Sequence, residues 1–327
     1  MDKHILPVVV PPIKTYQDIS FTLAVIMAYK NLSDVYFNNY INLECNMTDD
    51  ASNLKLIFTN ATWEEYRISG LADMNMYYIR NLSENKFDEF LQERIDQGNY
   101  IIMYCVDEYF LSYTPNYGSK HFIHDTYIYG YDYSMYHVMA YKNRKLQQIQ
   151  VPKREITRAL FSQSEKRDNV SFCTFRPSST ICVSVNTEWI AQEYVRYVNS
   201  IASGTPQLDK VYGIRVYDEL QKCVQKRIDK WKEIESALDL RPFRCIWEQK
   251  KIALARVEKL KSLVEIEENE FQLLGELESV SQKLFLVMIK FELTMDKAIL
   301  DRGIRYIELI KNLELQLFSL VRGRLNN

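Results

Sequence analysis

The chain has 327 residues, 47% of them hydrophobic and 26% charged, a balance that fits a folded globular protein and excludes disordered, collagen-like and disulfide-scaffold chains. Its 41 basic and 43 acidic side chains leave a net charge of -2, so no bulk charge draws it to nucleic acid or to an anionic membrane. Nine glycines, none clustered, exclude a dinucleotide fingerprint and a phosphate loop, both of which need glycine for close backbone approach.

The opening stretch MDKHILPVVVPPIK holds a short apolar run broken by Pro7, Pro11 and Pro12, which is not the apolar core of a secretion signal. No stretch approaches the roughly 18 apolar residues needed to span a bilayer. The six cysteines (Cys45, Cys105, Cys173, Cys182, Cys223, Cys245) form no CxxC pair and read as reduced thiols of a cytoplasmic protein.

Asp18-Ile19-Ser20 precedes FTLAVIMAYKN, an unbroken apolar run, which predicts a buried first helix with Ser20 at its start. KFDEFLQERIDQG predicts a second, amphipathic helix closed by Gly98. NYIIMYCVDEYFLSY and KHFIHDTYIYGYD, rich in aromatic and β-branched residues, predict a hairpin turning near Pro115-Asn116. YHVMAYKNRKLQQIQVP continues as strands, and Pro152 opens a helix at KREITRALF. VSFCTFRP and TICVSVN predict two more short strands. EWIAQEYVRYVNSIASG predicts a helix ended by Gly204, with SGTP as the linker.

Beyond it, apolar residues recur three or four apart: Leu254, Val257, Leu260; then Phe271, Leu274, Leu277, Leu284; then Ile304, Ile307, Ile310, Leu313. These are stripes of a helical bundle, serving chiefly as core, with a homodimer through the C-terminal helices as the further use.

His121, His124 and His137 fall within 17 residues of one another. No second dense group of ligands stands at a metal-binding spacing, so neither a metal nor another cofactor is expected.

A histidine entering a hydrophobic strand that ends Tyr129-Gly130-Tyr131-Asp132 resembles the histidine strand of the C39 peptidase group of papain-like proteins. With Val106-Asp107-Glu108-Tyr109, Lys120-His121-Phe122-x-His124, Tyr212-Gly213-Ile214-Arg215 and Asp239-Leu240-Arg241-Pro242 added, the chain more closely resembles the N-terminal domain of the butirosin biosynthesis protein H family. The resemblance implies a papain-like α/β half with a cysteine nucleophile at the start of the first helix and a strand histidine as its base. It also implies acyl transfer from a carrier-protein thioester to a small-molecule amine. Tyr109, His121 and Tyr131 are the substrate-side residues it suggests.

The chain departs from that pattern at the nucleophile. No cysteine precedes Cys45, and Ile19 or Ser20 stands at the expected position. Ser20 reads as attacking hydroxyl or as helix cap, and Cys105, on the strand before the histidine strand, is the second candidate nucleophile. Asp132 lies eight strand residues from His124, roughly 26 Å away, so it is a turn residue. A tip at Pro115-Asn116 sets Asp107 opposite His124, at about 5 Å between Cβ atoms. Asp107 is therefore the expected orienting acid, with Asn143 on the returning strand as the alternative.

The expected architecture is a papain-like α/β domain over 1–205 and a helical bundle over 206–327. The expected function is acyl or peptidyl transfer with amide formation in natural-product biosynthesis. A catalytically degenerate carrier-binding scaffold is the alternative, and a peptidase the third reading.

Overall fold

The computed structural model describes residues 3–47, 54–59, 63–143, 145–162, 170–230 and 237–325. In chain order the elements begin with β1 (His4–Ile5), α1 (Gln17–Ile26), α2 (Val35–Asn38), β2 (Leu43–Asn46), β3 (Leu56–Phe58) and α3 (Trp63–Ile68). Next come β4 (Ala72–Tyr78), α4 (Glu84–Asp96), β5 (Tyr100–Asp107), β6 (Ile123–Tyr131), β7 (Met135–Lys142), β8 (Lys145–Pro152), α5 (Lys153–Phe161) and β9 (Ser171–Pro177). The chain then runs through α6 (Thr187–Val198), β10 (Lys210–Tyr212), α7 (Val216–Asp229), α8 (Arg241–Leu260), α9 (Glu268–Thr294) and α10 (Lys297–Leu325). It is a mixed α+β protein, with a large antiparallel sheet and a helical C-terminal region.

Contacts divide it into two compact units, Met1–Ser33 with Thr62–Val183, and Asp34–Ala61 with Ser184–Asn327. The first is built on an antiparallel sheet ordered β4-β9-β5-β6-β7-β8, with β1 also paired to β6. Gly130 makes that last pairing possible, because a Cβ there would lie 2.7 Å from the His4 carbonyl oxygen. Helix α1 covers one face: the Phe21 ring lies 4.5 Å from that of Tyr127, and residues 19–26 are all buried. Helices α4 and α5 serve the other face, where Phe87 meets both Phe161 and Phe172 edge-on. Strand alternation separates the two layers, since Phe172 pairs with Met103 and so points away from the side that Tyr100 shares with Phe21.

The second unit holds a small sheet ordered β10-β2-β3 together with α2 and α6 to α10. Strand β10 brings 34–61 into this unit by pairing Val211 with Cys45. Gly213, at φ +59, follows that strand where a Cβ would collide with the Tyr197 carbonyl. Apolar stripes bury Leu274, Leu277, Leu284 and Phe291 of α9 and Ile307 and Ile310 of α10, as the spacing predicts, whereas α8 buries Ile252, Ala253 and Arg256 and leaves Leu254 half-buried.

Three local expectations change. Helix α1 begins at Gln17, capped by Tyr16, so Ser20 is its fourth residue and not its start. Helix α6 ends at Val198, where Ser200 at φ 58 takes the left-handed turn assigned to Gly204. Residues 181–186 pair with no ladder among the described residues, so TICVSVN is not a strand. Among the described residues no helix is long and apolar enough to cross a membrane.

Candidate functional site

The site grows out of an irregularity in β5. Between Met103, paired with Thr126, and Val106, paired with His124, β5 advances three residues while β6 advances two. The extra residue makes a β-bulge, and Cys105 accommodates it with a left-handed backbone at φ 62. Beyond the bulge the register is displaced by one, so Asp107 faces Ile123. The expectation that Asp107 orients His124 is thereby corrected.

Asp107 serves His121 instead. The His121 Nδ1–H donates to Asp107 Oδ2 at 2.6 Å. Asp107 Oδ1 accepts from the backbone N–H of Tyr109 at 3.1 Å and of Phe122 at 3.3 Å, which fixes the carboxylate from below. The acid is fully buried, while 59% of the His121 side chain is exposed. Tyr109 stacks on the imidazole at 4.4 Å and 17°. This arrangement commits Nδ1 to the acid and leaves Nε2 on a solvent-facing edge, which is how a general base is held in its reactive tautomer.

His124 has the next carboxylate in sequence, with Nδ1 3.2 Å from Glu108 Oε1. Glu108 is steadied by the long β5–β6 connection, where Asn116 donates to its Oε2 at 2.6 Å and Thr114 to its carbonyl at 2.9 Å. That connection is not the tight hairpin expected at Pro115-Asn116. The Glu108 hydrogen bond raises the His124 pKa above its ordinary value, against the effect of burial.

At the bulge, Asp125 faces the first turn of α1. Burial raises its carboxyl pKa and Asp18 raises it further, while His124, the Tyr127 hydroxyl and the Cys105 N–H act in the opposite direction. Gln17 donates to the Asp125 carbonyl at 3.3 Å. Burial, with the Asp125 and Asp18 charges behind it, pushes the Tyr127 phenol well up.

The other expected residues lie elsewhere. Ser20 is buried, and its hydroxyl donates back along the helix to the Tyr16 carbonyl at 2.6 Å. Asn143 is exposed, in the left-handed turn joining β7 to β8. Tyr131 is a packing residue at the far end of β6, donating to Asp96 at 2.8 Å and carrying the Lys153 ammonium 4.9 Å over its ring. Cys105 is half-buried within the bulge. In the second unit, burial lifts the Cys45 thiol to about 12 and that of Cys245 well above its usual range, so neither supplies a thiolate at neutral pH. Asp132, as expected, is a turn residue; it bonds His137 at 3.1 Å.

Sequence reasoning assigned no role to Glu108, Asp125, Arg154 or Arg158. The two arginines stand four apart on α5, which puts them on one helical face. With Tyr109, Phe110 and Glu155 they line a cavity of about 480 Å³ beside the Tyr109–His121 stack. The Arg158 guanidinium lies 4.7 Å over the Phe110 ring, and Glu155 accepts from the Ser112 N–H at 2.9 Å. Among the described residues no group of three or more His, Cys, Asp or Glu is placed to hold a metal ion.

No family model and no curated protein matches the chain.

Proposed function

We propose that this chain is a papain-like protein of the butirosin biosynthesis protein H type that forms an amide from a carrier-protein acyl or peptidyl thioester and a small-molecule amine. The observation that carries the reading is the His121–Asp107 pair, a half-exposed imidazole held at 2.6 Å by a fully buried acid, on a sheet covered by α1. In this reading the amine attacks the thioester directly. Its nitrogen bonds to the carbonyl carbon, the C–S bond breaks, and the proton lost by the amine passes through His121 Nε2 to the departing thiolate. No enzyme nucleophile is required, which fits a first helix that lacks cysteine and spends the Ser20 hydroxyl on its own backbone. Arg154 and Arg158 offer positive charge to an anionic donor at the adjoining cavity.

The test is a transfer assay with acyl-carrier thioesters and a panel of amines. His121→Ala should lower the rate by at least about a hundredfold, the scale of a positioned base, and His124→Ala by much less. Initial-rate plots should intersect, as direct attack requires; parallel plots, or turnover indifferent to His121→Ala, would reject the mechanism.

The missing thiol at α1 also favours a second reading, a catalytically degenerate scaffold that docks carrier proteins. It expects carrier binding with no turnover, and binding unchanged in His121→Ala.

A further inference from the structure

The second unit contains a cavity of about 420 Å³ that runs alongside α8. Lys250, Ala253, Val257 and Leu260 border it three or four residues apart, so one face of the helix flanks it for roughly 15 Å at 1.5 Å per residue. Ile190 of α6, Leu274 of α9 and Leu317 of α10 supply apolar walls. The two ends differ. Toward Val264, which is 42% exposed, the lining is mainly aliphatic and reaches solvent beside Glu265. Toward Lys250 it is closed and polar.

At the closed end Lys250, Gln249, Glu314 and Tyr197 are all buried and joined to one another. The Lys250 ammonium pairs with Glu314 and donates to Gln249 Oε1 at 2.6 Å, and Tyr197 donates to Glu314 Oε2 at 2.6 Å. An ammonium has three N–H bonds, and those partners take two. The rings of Tyr197 and Tyr217 stand 5.4 and 5.8 Å from the nitrogen, and Lys250 itself borders the cavity, so the third N–H is the donor available to a ligand there.

Charge selects the ligand's head. The Lys250–Glu314 pair is already neutral as a unit. Of the other charged groups on the wall, Arg256 is turned to the Phe37 and Asn39 carbonyls and the Tyr194 hydroxyl, and Glu270 accepts the Glu267 N–H within the α9 cap. Glu265 stands at the exposed end. A carboxylate or an ammonium entering the closed end would therefore bury a charge with no counter-ion, at a cost of several kcal/mol. An uncharged carbonyl can take the remaining Lys250 donor without that penalty.

We propose that this cavity binds an unbranched aliphatic chain, on the order of ten carbons long, that ends in an uncharged carbonyl group lodged against Lys250. The assignment rests on the cavity alone and stands or falls independently of the His121 site.

The experiment is calorimetric titration of the full chain with decanamide, decanoate and decylamine. Saturable one-to-one binding of decanamide, with the two charged analogues at least tenfold weaker, is the expected result. Ala253→Trp, which fills the middle of the cavity, should weaken decanamide at least tenfold. Ala191→Trp, at an exposed position on the rim, should do the same with an unchanged melting temperature, and it covers the case in which Ala253→Trp fails to fold. Three outcomes would each overturn the proposal: no saturable decanamide binding, binding indifferent to both tryptophans, or decanoate as the tighter ligand. Sedimentation as a dimer that Ala191→Trp dissociates would assign the groove to a second copy of the chain and overturn it too.

Discussion

Asp107 and His121 share a 2.6 Å hydrogen bond across a steep difference in exposure, the acid fully buried and the ring more than half open to solvent. Stability and reactivity therefore separate between the two residues. Asp107→Ala strands the N–H groups of Tyr109 and Phe122 along with the ring, and should cost about 2–4 kcal/mol in urea unfolding. His121→Ala leaves the acid its two backbone donors and should cost less than about 1 kcal/mol while removing the proton acceptor. Equal destabilisation by the two substitutions would contradict this division.

The neighbouring pair predicts a pH dependence. His124 titrates above its ordinary 6.5 in the fold, because its bond to Glu108 favours the charged ring. The folded state thus holds this proton more tightly than the unfolded chain. The stability gained is complete below about pH 6.5 and disappears as pH rises through the folded value. His124→Gln should lower the melting temperature at pH 5.5 and leave it nearly unchanged at pH 8.5. Solvent screening of a 44% exposed side chain keeps the effect under about 1 kcal/mol. A larger loss at pH 8.5 than at pH 5.5 would show that packing, not charge, is what His124 contributes.

Asp125 carries the same sign for a different reason. Burial raises its carboxyl above 3.8, so ionisation is a burden on the folded state once pH exceeds the folded value. Asp125→Asn keeps an oxygen to accept from Tyr127 and Cys105 and removes the charge facing Asp18. The variant should be more stable than the parent at pH 7, and that advantage should vanish as pH falls toward 3.8. A carboxylate kept at such a cost is a candidate functional position, which activity of the variant tests. If the variant is both less stable at pH 7 and fully active, Asp125 is a packing residue.

These relationships show what the sequence could and could not reveal. The strands over 100–107 and 123–131 follow from their aromatic and β-branched runs, and α5 begins directly after Pro152. Register did not follow, because the β5–β6 connection is not a tight turn at Pro115-Asn116, so an index counted from that tip sets Asp107 opposite His124 when it faces Ile123. The extra residue at Tyr104–Cys105, equally invisible to a count of alternating side chains, shifts Asp107 by one, from Phe122 to Ile123. A bulge is set by tertiary fit, and Cys105 has none of the local features that make glycine or asparagine a signal for left-handed backbone. The same limit hid the place of Ser20, since Tyr16 caps α1 without a side-chain bond and gives no cue of its own. Gly130 and Gly213 sit where a neighbouring backbone leaves no room for a Cβ, a constraint that residue spacing alone does not reveal.

The buried pair Lys250 and Glu314 lends itself to a double-mutant cycle. Both residues are under a tenth exposed, at 3% and 7%, and burial pushes the pKa of the Lys250 ammonium well below its usual range. Lys250→Met alone leaves the Glu314 carboxylate buried with only the Tyr197 hydroxyl as donor. Glu314→Gln alone leaves a buried ammonium among the Tyr197 and Tyr217 rings. Each single change should cost about 3–5 kcal/mol, the scale of an uncompensated buried charge. The double variant buries no charge, and the amide oxygen introduced by Glu314→Gln can still accept from Tyr197, so it should recover most of the loss. Urea unfolding of the four proteins yields the coupling between the two positions directly. Additive losses in the double variant would mean that Lys250 and Glu314 are stabilised separately by their surroundings, and that the closed end of the cavity is not the neutral unit on which its preference for an uncharged ligand depends.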